Sequence, residues 1–414
     1  MRIAVINHSN AVVGGAETYL RQLLPALVKA GHELAFWHEL EGNAERESVT
    51  EGCDISTWCF AQFGEEKALA ALASWEPDVI YTHGLHSAAL EAATQHLAPS
   101  VFFAHNYYGS CISGAKTFSS PVTRPCDLPF SWKCLVHYYP RRCGGLNPST
   151  MVRDYRRQRE RLALLNNYHT ILVAGDHMSG EYEKYGLADC VRVIAYPIAM
   201  IGDPVSHNRV RARDEKLRLL FLGRMDRLKG GDVLLEALPS IISVLERPIR
   251  LTLAGDGPLR ALWEQRAVQL MSEIEGLEVQ FTGWLKAERH RELFQESDLL
   301  VLPSLWPEPF GLVGLEAGLR GVPTAAFSVG GIPDWLKDGV NGVLAEEGPS
   351  RSASLAAAII RCLRDDDFYQ ELRHGAAEEA RRFDMATHLS LLLPVLEQAS
   401  VVAHKTKPVQ IGFG

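Results

Sequence analysis

The run Glu308-Pro309-Phe310-Gly311-Leu312-Val313-Gly314-Leu315-Glu316 frames a short turn and the start of a helix with two carboxylates. Gly311 lets a bound group come close to the backbone. The first N–H groups of a helix have no intrahelical acceptor and favour anions. Glu308 lies before the helix and Glu316 more than one turn into it. That spacing suits a phosphate held between a sugar on one side and a ribose on the other.

Other turns carry the same kind of chemistry. Gly14-Gly15-Ala16-Glu17 can bring backbone N–H groups to a phosphate at a helix start, although it also reads as a plain tight turn. It is not the Gly-x-Gly-x-x-Gly dinucleotide fingerprint, and no P-loop pattern occurs. Gly223-Arg224 is followed five residues on by Lys229-Gly230. Arginine offers a planar fork to phosphate oxygens and lysine a mobile point charge. Gly255-Asp256-Gly257-Pro258 is a turn signal first. Gly283-Trp284-Leu285 can lay backbone against a nucleobase, and Gly330-Gly331-Ile332-Pro333 is another turn that exposes backbone. His105, in Phe102-Phe103-Ala104-His105-Asn106, sits at a strand end where a histidine is either structural or functional. His83 and His86 repeat that pattern more weakly.

The elements that must position these residues alternate regularly. Arg2–Asn7, Glu33–His38, Asp78–Thr82, Val101–His105 and Thr170–Ala174 are short apolar runs that predict buried parallel strands, and Ala16–Ala30 predicts a helix closed by Gly31. Residues 202–216 are polar and read as a linker. The pattern then restarts, with strands expected at Arg218–Gly223, Arg250–Gly255, Glu278–Gly283, Asp298–Pro303 and Pro323–Phe327. The fold class is therefore α/β, with two doubly wound, Rossmann-like domains in tandem. Residues 1–201 form the first and 217–384 the second, and a helix near Met385–Val402, within a 385–414 terminal segment, is expected to cross back to the first. Ligands of such sheets sit beyond the C-terminal strand ends, where the turns above all fall, so two facing sheets imply a deep cleft.

Composition narrows the class. With 47% hydrophobic and 22% charged residues over 414 positions, the chain is an ordinary globular protein of more than one domain. A net charge of −8 argues against general nucleic-acid binding. No apolar stretch reaches membrane-spanning length, and Met-Arg-Ile-Ala-Val-Ile reads as a strand and not a signal peptide. A cytoplasmic protein with mostly reduced cysteines is expected.

Taken together, these motifs closely resemble the retaining glycosyltransferases of family 4, which have the GT-B fold. The resemblance covers nearly the whole chain. Its most specific part is the order and spacing of Gly223-Arg224, Lys229-Gly230 and the Glu308–Glu316 pair. It implies transfer of a hexose from a UDP- or GDP-sugar to a glycan or lipid-linked acceptor with retention at the anomeric carbon, in the synthesis of cell-surface polysaccharide or glycoconjugate. By the same resemblance Glu308 contacts the donor sugar and Glu316 the ribose hydroxyls. Arg224 and Lys229 hold the diphosphate, the Gly15 backbone closes over it, and His105 lies near sugar and acceptor. No second carboxylate is obviously placed as a nucleophile. Front-face attack, with the leaving phosphate taking the acceptor's proton, fits better. No Asp-x-Asp metal site is apparent, so no catalytic cofactor or divalent ion is expected.

One segment departs from that pattern. Residues 106–150 have no clean period and hold Pro121, Pro125, Pro129, Pro140 and Pro148, which marks a functional loop over the cleft. Cys111, Cys126, Cys134 and Cys143 fall in it without a Cys-x-x-Cys knuckle, as a structural zinc site with His137 in reserve or as plain thiols. The basic stretch Arg153–Arg161 reads as a solvated helix face, or as a peripheral contact with anionic lipid at the inner membrane face. Three readings compete with transfer: a GT-B sugar phosphorylase, a nucleotide-sugar epimerase, and an inactive nucleotide-sugar-binding protein.

Overall fold

The computed structural model describes residues 1–42, 46–198, 216–285, 287–346 and 350–403. The expected linker at 202–216 lies outside these residues except for Lys216. The chain divides into two compact units. The first comprises residues 1–116, 127–199 and 385–414, the second 117–126 and 200–384.

The first unit holds a seven-stranded sheet in the order Ser56–Cys59, Glu33–Leu40, Arg2–Ser9, Val79–Thr82, Ser100–Ala104, Thr170–Val173, Val191–Val193. Every pairing is parallel. Ile3 to Ile6, Val79 to Tyr81 and Val101 to Ala104 are buried, as strands covered on both faces require. Helix Gly15–Lys29 buries Tyr19, Leu20, Leu23, Leu24 and Leu27, a stripe at helical spacing. The C-terminal helix Met385–Ala403 is counted with this unit, and its His388 Nε2 lies 2.9 Å from Tyr19 Oη.

The second unit is built around a six-stranded parallel sheet in the order Leu277–Gly283, Ile249–Ala254, Leu217–Leu222, Leu299–Leu302, Thr324–Phe327, Gly342–Ala345. Its core joins Leu219, Phe221, Leu251, Leu253 and Val301 to Leu234, Leu238 and Ile241 of helix Gly231–Leu245 and to Ile359 of helix Arg351–Leu363. In both sheets the first strand lies in the middle and the order reverses beside it. That reversal opens a crevice at the C-terminal strand ends. Gly14-Gly15 follows the central strand of the first sheet. Gly223-Arg224 follows that of the second, and Ser304 to Glu308 follow its neighbour across the reversal.

Three differences from the sequence reading stand out. Strand Ser100–Ala104 ends before His105, which therefore belongs to the following loop. The edge strands Ser56–Cys59, Val191–Val193 and Gly342–Ala345 were not anticipated, because three or four residues carry too little period to register. The 106–150 segment is split. Its antiparallel ribbon of Thr117–Phe118 with Arg124–Pro125 is counted with the second unit, where the Thr123 carbonyl accepts a hydrogen bond from the Arg351 guanidinium.

Candidate functional site

In the second unit the sheet reversal brings Lys229 to Glu308. Asp226 starts this arrangement: its Oδ1 accepts from the backbone N–H groups of Leu228 (2.9 Å) and Lys229 (3.2 Å), turning the chain after the central strand. Gly230 follows with φ +69°, and a Cβ there would stand 2.0 Å from the Pro303 carbonyl oxygen. Glycine is thus required for the loop to lie against the neighbouring strand end. Gly230→Ala is expected to cost about 2–4 kcal/mol of stability, from left-handed strain plus overpacking; urea unfolding measures it, and an unchanged midpoint would contradict the contact.

Lys229 Nζ donates to Glu308 Oε1 at 2.5 Å and lies 4.9 Å from the ring centroid of Trp306. Ser304 Oγ donates to the same Oε1 at 2.7 Å. Among the described residues no donor reaches Glu308 Oε2. The Glu308 backbone is clamped from behind: its carbonyl accepts from Gly331 N–H at 2.6 Å, and a Cβ on Gly330 would meet that carbonyl oxygen at 2.3 Å. The Gly330-Gly331 turn therefore holds Glu308 in place. Gly311, at φ +96°, starts helix Leu312–Gly318, and a Cβ on Gly314 would lie 1.9 Å from the Trp335 ring. Trp335 Nε1 donates to the Phe310 carbonyl at 2.7 Å. A cavity of about 150 Å³ opens here, lined by Lys229, Ser304, Glu308, Gly311, Leu312 and Val313, among others.

Glu316 lies in that helix. Its side chain reaches the surface only in part, and burial pushes its pKa up to about 7 although Arg320 opposes the shift. Among the described residues nothing donates a hydrogen bond to its carboxylate. The pKa rises on folding, so between about pH 4.5 and 7 the folded chain holds a proton that the unfolded chain has lost. Stability falls as pH rises through that window, and the loss is complete above it. Glu316→Gln, uncharged throughout, should therefore melt higher than the parent at pH 8 and close to it at pH 5. Equal melting temperatures at pH 8 would refute the strain.

Not every expected residue joins this group. Arg224 is 71% exposed, with Nε 3.6 Å from Asp226 Oδ2, and it is not among the cavity's lining. Trp284 is 68% exposed beside Gly283, whose carbonyl accepts from Gly255 N–H at 3.0 Å. The Gly255-Asp256-Gly257 turn packs on the loop after the central strand. A Cβ at Gly255 would stand 2.0 Å from the Gly223 carbonyl oxygen, and Met225 N–H donates to the Asp256 carbonyl at 2.9 Å. Sequence reasoning missed Ser304, Trp306 and Asp226. Only Asp226 left a signal, as a capping residue three positions before Lys229.

In the first unit, Gly14 precedes helix Gly15–Lys29 and both glycines are exposed. His105 is occupied: its Nε2 lies 2.7 Å from His83 Nδ1 and its Nδ1 lies 2.6 Å from Tyr196 Oη. His83 Nε2 is buried without a partner. Donation from His83 Nδ1 leaves only a lone pair orphaned, so we assign His105 Nδ1–H as the donor to Tyr196. Burial pushes the His105 pKa down to about 3, so the ring is neutral. A sugar contact by His105 requires exchange of one of these bonds.

The helix Pro148–Leu165 supplies an open groove of about 800 Å³ in the same unit, lined by Arg153, Arg156 and Arg157 with Ser87 and Ser149, among others. Arg157 donates to His86 Nε2 at 2.7 Å, and Arg161 to the Leu85 carbonyl at 3.0 Å. Cys111, Cys126, Cys134 and Cys143, which read as a zinc site or as plain thiols, form no disulfide. Cys134 and Cys143 pack against Ile112, Phe130 and Tyr138, Cys111 Sγ accepts from Lys116 N–H at 3.2 Å, and Cys126 is counted with the second unit. In that cluster Cys134 and Cys143 pack as small apolar side chains do. No described helix is long and apolar enough to cross a membrane.

Known proteins share this chain's pattern. Residues 13–199 match the family model described as Glycosyltransferase Family 4, and residues 203–383 the model described as Glycosyl transferases group 1. The chain is 25% identical over 406 residues to an uncharacterized glycosyltransferase of Methanocaldococcus jannaschii, covering 92% of this chain and 93% of that protein. It is 35% identical over 207 residues to a D-inositol 3-phosphate glycosyltransferase of Thermobispora bispora, covering 46% of this chain and 45% of that relative, so the match spans about half its length. In fold it is similar to Anabaena HepE, crystallised with UDP and glucose, at TM-score 0.67 and 19% identity over 95% of this chain and 99% of that one.

Proposed function

We propose that this chain, a glycosyltransferase of the GT-B type, moves a hexose from a nucleotide-diphosphate sugar to a glycan or lipid-linked acceptor and retains the anomeric configuration. One observation carries the reading: Lys229 and Ser304 both bond Glu308 Oε1, which leaves Oε2 turned to other donors beside a 150 Å³ cavity. A carboxylate fixed in this way accepts hydroxyl hydrogens of a sugar at low entropic cost. Lys229, now neutralised by Glu308, is the cation closest to hand for a diphosphate. Arg224, on an exposed arm, adds a second. Glu316, with no internal donor, receives the ribose hydroxyls, and its ionised form binds better. Nucleotide affinity should accordingly rise with pH through about 7.

In the transfer, the acceptor oxygen attacks the anomeric carbon on the face the diphosphate leaves. The carbon–oxygen bond to the diphosphate breaks, the glycosidic bond forms, and a departing phosphate oxygen takes the acceptor's proton. Charge on the leaving group is met by Lys229 and Arg224, without a divalent ion. The Arg153, Arg156 and Arg157 groove receives an anionic part of the acceptor or the headgroup surface that carries it. The D-inositol 3-phosphate glycosyltransferase among the relatives, and the UDP and glucose bound by HepE, support the donor class.

A panel of UDP- and GDP-hexoses, run first without acceptor and then with candidate glycans and polyprenyl-linked sugars, tests this. One donor should be turned over, with release of free nucleoside diphosphate and a product whose anomeric coupling in NMR matches the donor. Inversion would remove the retaining mechanism. Turnover only with inorganic phosphate would point to a phosphorylase, and none with any donor to a binding protein.

A further inference from the structure

At the edge of the first sheet three side chains of ligand type, none of them used in the proposed function, converge. His38 and Cys59 are direct partners in the parallel pairing of Glu33–Leu40 with Ser56–Cys59, so their side chains share a face, and each is 2% exposed. Glu41, three residues after His38, reaches in from the exposed side. One ligand atom from each of the three lies within 4.8 Å of the others, and among the described residues no further His, Cys, Asp and Glu set does so.

The His38 ring is already set for a ligand. Its Nδ1 lies 3.1 Å from the Leu40 carbonyl, so Nδ1 carries the proton and Nε2 presents a lone pair. A backbone carbonyl behind the opposite nitrogen is the usual support of a metal-bound imidazole. Nε2 stands 3.6 Å from Glu41 Oε1, too far for a good hydrogen bond. Two ligands of one tetrahedral zinc, at bond lengths of 2.0–2.3 Å, stand about 3.3–3.6 Å apart. Among the described residues Cys59 Sγ has only a weak hydrogen-bond contact, 3.8 Å to the Glu39 carbonyl.

We propose that His38 Nε2, Cys59 Sγ and Glu41 bind one zinc ion, with water from the solvent side as the fourth ligand. Thiolate and imidazole favour zinc over calcium or magnesium. Binding replaces the Cys59 thiol proton, which passes to solvent. The ion ties the four-residue edge strand Ser56–Cys59 to its neighbour, an edge otherwise held by a short ladder.

The test uses the full chain, purified without chelator and dialysed against zinc chloride, with metal measured by plasma mass spectrometry. About one zinc per chain is expected, together with a melting temperature that falls on adding chelator. Cobalt substitution should give thiolate-to-cobalt charge-transfer absorption, absent from Cys59→Ser. Glu41→Ala, at an exposed position that spares folding, should weaken zinc binding at least about tenfold and lose the chelator effect. Zinc retained at full affinity in both Glu41→Ala and Cys59→Ser would place the metal elsewhere and overturn the proposal, as would a parent chain holding no more zinc than these variants.

Discussion

Lys229→Ala is expected to lower turnover at least about a hundredfold, the usual loss when one charge-stabilising donor is removed from a transition state. The change removes the cation nearest the cavity and also strands Glu308, which keeps only the Ser304 bond on Oε1. Under the proposed function both consequences act at the reacting centre. Lys229→Arg should recover little, because a forked guanidinium does not fit where Nζ sits 2.5 Å from Oε1 and 4.9 Å from the Trp306 ring. Arg224→Ala, by contrast, removes a side chain that is 71% exposed and outside the cavity lining. A ligand must draw it in, so its loss should appear in KM as well as kcat. Steady-state kinetics with the best donor of the panel measures both variants. Near-parental turnover in Lys229→Ala would end its role at the diphosphate.

Glu308→Gln should lower kcat by about ten- to a hundredfold, since the charge-assisted hydrogen bond to the sugar that the proposed function requires becomes a neutral one. Size is unchanged and the backbone clamp from Gly331 remains, so melting temperature should hardly move. Nucleotide affinity, read by calorimetry with the nucleoside diphosphate alone, should hold steady or improve, because Lys229 is released from its internal partner. The opposite pattern, intact kcat with weakened nucleotide binding, would assign Glu308 to the nucleotide and not to the sugar. The Glu316→Gln variant provides the contrast, with weaker nucleotide binding and a smaller effect on kcat.

The alternation of apolar runs and helical stripes, and the turns at strand ends, were legible in the sequence because each is a local pattern. Ile3–Ile6 and Leu219–Leu222 announce their strands as continuous apolar runs, and Gly15–Lys29 announces itself by its leucine spacing. The Glu308–Glu316 run was legible for the same reason. The pairing of Lys229 with Glu308 was not, since 79 residues separate them and only the strand order makes them neighbours. Ser304 and Trp306 carry no local signal at all. The glycines of Gly330-Gly331 read as an exposed turn, whereas Gly330 is packed on Glu308 and Gly331 on Pro309 at distances no Cβ permits. His105 stood out by its place at a strand end, but its engagement with His83 and Tyr196 joins three segments of chain. The sequence by itself thus determined the fold class and the strand ends at which the candidate residues lie. Only the tertiary structure decided which side chains meet there and which are spent on internal bonds, because hydrogen bonding and burial depend on distances between segments far apart in the chain.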